Sequence, residues 1–361
     1  MNIIIRVDAS ILIGSGHVMR CLTLADGLAK VGVKRIEFIC RELSGNLIDL
    51  IEKYYPVHRL SSDSNARQPE NYSNDYSRWL EVSIKQDIAD TQAVLKDKSC
   101  DLLVIDHYAL DITWEKALRF FCEKIMVIDD IANRRHDCDL LLDQNFYLNM
   151  EQRYRNLVPK RCRQLLGPEY VLLRPEFREI RKKRLAAGKD KIKKIKNILI
   201  FMGGTDPDNI TLKILQNFPD DTEYQGKVNV VVGQSNPYQL DVENFCKLDE
   251  RMVYHCQPSY YNELLVEADL AIGAGGSSSW ERCYIGLPAV IYCLAENQKE
   301  ICVGLASQQV IKYLGQSDEY ANFKSQLLEI LMDLRFIKLT TVKCWDFVDG
   351  KGLERVCNYA F

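Results

Sequence analysis

The sequence predicts an α/β protein made of two doubly wound, Rossmann-like domains facing each other across a cleft. Three observations carry that expectation. Short β-branched runs alternate with segments of helical periodicity, the pattern of parallel sheets whose crossovers are helices. The alternation stops near Arg174 and restarts with "NILIFMG". Glycine-rich loops follow strands in both halves, at the carboxyl ends where such sheets bind ligands. Length agrees, because 361 residues is more than twice a typical domain of roughly 150 residues. The expected boundaries are an N-terminal domain over 1–175, a basic connector over 176–196 and a C-terminal domain over 197–361.

In the first half "IIIRV" reads as a strand. "HVMRCLTLADGLAKVG" follows as a helix, with Leu22, Ala25, Leu28 and Ala29 on one face before Gly32 ends it. "RIEFICR" is the next strand and "GNLIDLIEKYY" the next helix. The polar, turn-rich stretch Ser61 to Arg78 reads as a loop over the sheet edge. Helix "DIADTQAVLKDK", strand "LLVID", helix "WEKALRFFCE" and strand "KIMVID" complete the half. "REIRKKRLAAGKDKIKKIK" supplies the connector, a solvated basic face. The second half then gives strand "NILIFMG", a helix near "NITLKILQNF", strands "KVNVVVG" and "RMVYHC", helix "YNELLVEA", strand "DLAIGAG", helix "SSSWERCYI", strand "AVIYCL" and a helix from Asn297.

Bulk properties narrow the function. With 47% hydrophobic and 27% charged residues and a net charge of -3, the chain offers no field that gathers nucleic acid or anionic membrane. An anionic ligand must be bound locally. "MNIIIRVDAS" lacks the basic start and apolar run of a secretory signal, and "IGLPAVIYCLA" is too short to span a bilayer. The expectation is a cytoplasmic protein without membrane insertion, with a monomer as the working assumption. Thirteen cysteines, an odd number without any Cys-x-x-Cys, read as reduced core thiols.

Gly14, Ser15 and Gly16 follow a strand and open a helix, like the start of a dinucleotide fingerprint. Met19 stands where the third glycine belongs, and no Walker lysine follows. What remains is a small-residue turn that lets a substrate approach the backbone and puts His17 in the first helical turn. The helix dipole disfavours the imidazolium there, which suits a general base. His107 is a weaker candidate, and His58, His136 and His255 read as structural or surface residues. The better nucleotide loop is "GAGGSSSWE", where Gly276 and the hydroxyl residues Ser277, Ser278 and Ser279 meet a helix start able to hold a diphosphate. Glu281, one turn on, is placed for a ribose diol. "MGGTDPDN" adds Gly203 and Gly204 to the same face. The strings Asp137-Cys138-Asp139 and Asp206-Pro207-Asp208 lack a supporting ligand at metal spacing, so no metal is expected.

The stretches "RVDAS", "GSGHVMRCLTLA", "DHY", "VIDD", "CDLLLDQN", "LLRPEF", "MGGTDP", "GAGGSSSWERCYIGLPA" and "ENQ" together resemble the UDP-sugar hydrolases of pseudaminic acid biosynthesis, over nearly the whole chain. The resemblance implies a GT-B fold with UDP held mainly by the C-terminal domain. It implies hydrolysis of UDP-2,4-diacetamido-2,4,6-trideoxy-β-L-altropyranose at the anomeric carbon, with inversion and without a cofactor. By the same resemblance His17 matches the base that activates water, and Tyr108 and Asn297 match substrate-contacting catalytic positions. Ser278 and Glu281 match residues near the diphosphate and ribose, and Arg174 is a weaker match. The chain ends with "DFVDGKGLERVCNYAF" rather than an acetyltransferase-like region, so no second activity is implied. Two other readings stay open at this stage: a GT-B transferase using another UDP-amino-sugar and an acceptor, and a non-catalytic nucleotide-sugar binding protein.

Overall fold

A computed structural model describes residues 1–62, 76–189, 191–294, 296–316 and 322–360; the side chains at 296 and 297 lie outside the described residues. The chain separates into two compact units. In the first come β1 (Asn2–Val7), α1 (Gly16–Lys30), β2 (Arg35–Arg41), α2 (Ile48–Ile51), β3 (Val57–Leu60), a 3-10 turn at Tyr76–Leu80, α3 (Ile84–Leu95), β4 (Leu102–Asp106), α4 (Ile112–Leu118), β5 (Lys124–Ile128), β6 (Leu140–Asp143), α5 (Met150–Arg153) and β7 (Arg163–Leu166). Its sheet is parallel with strand order β3-β2-β1-β4-β5-β6-β7. The order reverses between β1 and β4, and the connections leaving those two strands lead to His17, at the start of α1, and to Tyr108. That is the switch point at which a doubly wound sheet opens a ligand crevice.

The second unit begins with α6 (Glu176–Ala186) and continues through β8 (Asn197–Phe201), α7 (Ile210–Gln216), β9 (Lys227–Val232), α8 (Gln239–Cys246), β10 (Met252–Cys256), α9 (Tyr261–Glu267), β11 (Leu270–Ala274), α10 (Ser278–Ile285), β12 (Ala289–Cys293), α11 (Glu296–Ser307), β13 (Lys312–Gln316), α12 (Phe323–Met332) and α13 (Leu334–Phe347). Its sheet has the order β10-β9-β8-β11-β12-β13, with the reversal between β8 and β11. Both sheets are covered on both faces, which is why their strands read as continuous apolar runs. Ile3, Ile5 and Val7 of β1 face one core of the first unit, while Ile4 faces the other with Leu103, Ile105 and Trp114.

The units run differently from the boundaries expected from the sequence. The first comprises 1–145, 149–172 and 351–361, and the second 146–148 and 173–350. The basic stretch after Arg174 is built into the second unit because α6 has an inner face: Phe177, Ile180 and Arg184 are buried. The Arg184 guanidinium donates to the carbonyls of Leu265 at 2.6 Å, Ala268 at 2.7 Å and Ile285 at 3.1 Å. A last helix, α14 (Gly352–Ala360), returns to the first unit and packs Leu353 and Cys357 over Gly27 of α1. Among the described residues no helix is long and apolar enough to cross a membrane.

The docking of α14 is checked at Gly352, where an added Cβ would lie 2.4 Å from the Val171 carbonyl oxygen and 2.5 Å from its nitrogen. Backbone cannot rotate away as a side chain can. Gly352→Val is expected to cost about 1–3 kcal/mol, read as a lower denaturant midpoint for the first unit.

Candidate active site

His17 sits in the first turn of α1, buried except for a narrow face. Its Nδ1 is 2.6 Å from Oδ1 of Asp106, the last residue of β4. A carboxylate there accepts the Nδ1 proton, so the neutral ring keeps its lone pair on Nε2. Sequence reasoning assigned the neutral state to the helix dipole; the structure adds the partner that selects the tautomer. Asp106 is itself clamped. Arg20, one turn after His17 on the same face of α1, donates Nε to Oδ2 at 2.5 Å and Nη2 to Oδ1 at 2.7 Å. Burial alone would raise the Asp106 carboxyl; Arg20 and then His17 outweigh it and hold it well below the usual carboxylate range.

The remaining Arg20 nitrogen, Nη1, reaches Asp130 Oδ2 at 2.5 Å, and the same oxygen accepts from Tyr108 Oη at 2.6 Å. Burial, then Asp130, raises the Tyr108 phenol well above its ordinary value, so it stays protonated. Aromatic rings close the cluster: Tyr108 lies edge-on to His17 at 4.7 Å between centroids, and Trp79 lies edge-on to His17 at 5.4 Å and stacked on Tyr108 at 5.0 Å. Gly14 has φ +78° and Gly16 an ordinary φ, and a Cβ at either would meet open space. The turn therefore exposes backbone beside His17, as a close-approaching ligand requires.

His107 belongs to a structural network. Its Nδ1 accepts from the Ala109 amide at 3.1 Å and its Nε2 faces Asp8 at 3.3 Å, inside a buried group with Arg6, Arg41 and Asp87. His58 pairs with Glu37, His136 with Glu115, and His255 with Asn229 and Tyr260.

In the second unit the loop from Gly275 turns β11 into α10. The amides of Ser279 and Trp280 are bonded to the Gly276 and Ser277 carbonyls, so the amides left at this helix start belong to Ser277 and Ser278. The structure also separates the three serines. Ser277 is exposed, while Ser278 and Ser279 accept from Arg282 through Nη1 at 3.1 Å and Nη2 at 3.0 Å. Arg282 further donates to the Ala274 carbonyl at 2.8 Å and so braces the loop from beneath. Glu281 Oε1 is 3.3 Å from Arg174 Nη2, whose Nη1 is 2.8 Å from Glu176. Burial raises the Glu281 carboxyl, and Arg174 opposes the rise. Gly203, at φ +106°, and Gly204 follow the end of β8, with Gly204 packed against Gly233. Asn297 belongs to α11, but its side chain lies outside the described residues. The structure thus gathers His17, Tyr108, Gly14 and Gly16 in the first unit, and Gly276, Ser277, Ser278, Glu281 and Arg174 in the second.

No family model matches the chain. In sequence it is 29% identical over 309 residues to the UDP-2,4-diacetamido-2,4,6-trideoxy-beta-L-altropyranose hydrolase of Campylobacter jejuni, covering 85% of this chain and 97% of that protein. In structure it is similar to MurG of Acinetobacter baumannii, with a TM-score of 0.67 at 14% identity over 100% of this chain and 99% of that one. WaaG, a glycosyltransferase involved in lipopolysaccharide biosynthesis, gives 0.55 at 16% identity over 99% of both chains. The fold is GT-B.

In this GT-B chain the acidic strings have structural work. Asp206 accepts the Ile210 and Thr211 amides at 2.8 and 2.9 Å and so caps α7, while Asp137 and Asp139 pair with Arg119 and Arg161. Sequence reasoning missed Arg20, Asp106, Asp130 and Trp79 as members of the His17 cluster. Asp106 and Asp130 do lie in quoted motifs, "DHY" and "VIDD". Another buried carboxyl, Asp143, is pushed up to about 8 by burial and then by Asp130. The Asn145 amide at 3.0 Å and Arg153 Nε at 3.4 Å oppose that rise, while Tyr154 Oη has one proton for Asp129 O at 2.9 Å, Asp143 Oδ2 at 3.0 Å and Asp129 Oδ2 at 3.1 Å, so a proton on Asp143 supplies a donor these acceptors lack.

Two predictions follow from these assignments. Asp206→Ala should lower stability by about 0.5–2 kcal/mol through the lost cap, with a denaturation midpoint that added magnesium or manganese does not restore. Asp143 holds its proton in the folded state to a higher pH than in the unfolded one. The contribution of Asp143 to wild-type stability should therefore fall as pH rises from about 4 to about 8. Asp143→Asn should flatten that slope in denaturation curves taken across the range.

Proposed function

We propose that this chain is a nucleotide-sugar hydrolase that releases UDP from UDP-2,4-diacetamido-2,4,6-trideoxy-β-L-altropyranose with inversion at the anomeric carbon. The observation that carries the reading is His17 held by Asp106 through Nδ1, which leaves Nε2 to take a proton from water. Similarity to the Campylobacter jejuni hydrolase over 97% of that protein supports the choice of substrate.

In this reading His17 Nε2 accepts a proton as the water oxygen bonds to the anomeric carbon, on the face opposite the diphosphate. The bond from that carbon to the diphosphate oxygen breaks, and its electron pair leaves with UDP. Asp106 stabilises the imidazolium that forms, as an orienting carboxylate does for a histidine base. A single displacement needs one base, not the paired carboxylates of retaining glycosidases. Tyr108, whose proton is committed to Asp130, presents oxygen lone pairs to a sugar hydroxyl or amide. Gly14 and Gly16 leave room for the sugar. The second unit holds the nucleotide: the Ser277 and Ser278 amides meet the diphosphate, Glu281 takes the ribose hydroxyls with Arg174 orienting it, and Gly203 and Gly204 line the same face. Asn297 contacts substrate by the family resemblance. Helix-start amides stabilise departing UDP, so the scheme calls for no metal or cofactor.

The test is incubation with the UDP-sugar and no acceptor. Equal amounts of UDP and free reducing sugar are expected, with far slower release from UDP-N-acetylglucosamine; UDP appearing only when an acceptor is added would make the protein a transferase, and tight UDP binding without turnover a binding protein. His17→Asn should lower kcat by about 10²–10⁴-fold with UDP affinity little changed, and near-normal turnover would remove His17 as the base. Glu281→Ala should weaken UDP binding first, in a calorimetric titration.

A further inference from the structure

We propose that Arg20 is the positioning residue of the first unit, setting His17 through Asp106 and Tyr108 through Asp130 with one guanidinium. The inference rests on the reading of His17 as the base and goes beyond it, because neither Arg20 nor Asp130 has a part in the displacement itself. Three of Arg20's nitrogens are used. Nε and Nη2 grip both oxygens of Asp106, and Nη1 binds the Asp130 oxygen that Tyr108 also uses. The other Asp130 oxygen accepts from Asn145 Nδ2 at 2.9 Å, which fixes that carboxylate from its far side. The Arg20 side chain is 10% exposed, so its pairing is little screened by solvent.

Only a planar fork spans this geometry. A lysine ammonium could face one of the carboxylates but could not hold both oxygens of Asp106 and reach Asp130 as well. The consequence for the base is electrostatic. His17 itself meets Asp106, Arg20 Nη2 at 3.2 Å, Tyr108 and Trp79; around these lie Cys21 against Asp106, Asp130 against Arg20 and Tyr108, and Tyr76 against Tyr108 and Trp79, with His107 beyond Trp79 and Arg134 beyond Tyr108. Arg20 is the cation that balances Asp106. Without it the carboxylate pairs with the imidazolium alone, favouring the protonated ring that cannot take a proton from water. The guanidinium therefore keeps Asp106 as an orienter of His17 without letting it trap the base in its acid form.

The test compares Arg20→Lys, Arg20→Met and Asp130→Asn, with denaturant midpoint and UDP affinity measured on each. For Arg20→Met the acid limb of the kcat against pH profile should move up by about one unit, so that activity falls more below neutrality than above it. Arg20→Lys should keep the limb in place, because the charge remains, yet lose about tenfold in kcat because the fork is gone. Asp130→Asn should keep the limb as well and lower kcat through Tyr108. Nitrogen NMR of the His17 ring gives a readout that does not depend on turnover: Nδ1 protonated and Nε2 bare in the wild type, and a mixture of tautomers in Arg20→Lys. A merely structural Arg20 would lower the denaturant midpoint and leave both limb and tautomer unchanged, and that result overturns the proposal. Should Arg20→Met fail to fold, Arg20→Lys with a wild-type tautomer would overturn it equally. An active His17→Asn enzyme would instead refute the base reading, while the tautomer measurement still decides the role of Arg20.

Discussion

A carboxylate at the end of a central strand, Asp106, is the constraint on which the first unit's chemistry depends. Stripping a carboxylate of water costs several kcal/mol unless partners replace the lost hydration. Here the partners are Arg20 at two points, His17, and the Cys21 thiol at 3.5 Å. The thiol's own pKa is raised well above its ordinary value by burial and by Asp106, so it serves as a neutral donor. Among the described residues these side-chain donors to Asp106 all come from the first two turns of α1. The carboxylate therefore fixes how that helix sits on the sheet, and with it where His17 points.

The sheet supplies the other half of the constraint. Val7 of β1 pairs in register with Asp106 of β4, so the two strands end level and the loop after β1 delivers α1 directly over the end of β4. His17 and Asp106, 89 positions apart in sequence, meet because parallel strands bring their carboxyl ends to one edge. The second unit repeats the strand, glycine loop and helix arrangement at β11 and α10 but puts different chemistry there. Backbone amides and a serine run replace the buried ion pairs, with Arg282 bracing the loop from below. An added Cβ at Gly273 would lie 2.9 Å from Arg282 Nη1 and 3.0 Å from the Phe201 carbonyl oxygen, so a side chain there would displace the Arg282 brace and crowd the end of the neighbouring strand.

Much of this was legible in the sequence, for reasons that are local. Parallel strands with buried cores such as "RIEFICR" and "LLVID" announce themselves by composition, and the glycine loops by their position after strands. Short strands were not legible. Val57–Leu60 and Arg163–Leu166 are edge strands of four residues, and Arg59 and Arg163 give them no apolar run. The stretch "GNLIDLIEKYY" carries helical periodicity, yet only Ile48–Ile51 is helical. The polar segment read as a loop, Ser61 to Arg78, runs at its end into the Tyr76–Leu80 turn that brings Trp79 to His17, while residues 63–75 lie outside the described residues. Arg20 was hidden for a different reason. An arginine three positions after a histidine on a helix ordinarily faces water, and nothing near it in sequence reveals that carboxylates 86 and 110 positions away will bury it. The return of α14 to the first unit is likewise a long-range choice, made by the fit of Leu353 and Cys357 over Gly27.

Whether the chemistry is water attack at the anomeric carbon is tested most directly by running the reaction in heavy-oxygen water and locating the label. If His17 directs water to the sugar, the label appears in the anomeric hydroxyl of the released sugar, whose fresh proton NMR spectrum shows the anomer opposite to that of the substrate, and UDP carries none. Label in the terminal phosphate of UDP, or a released sugar that keeps the substrate's configuration, would contradict the account.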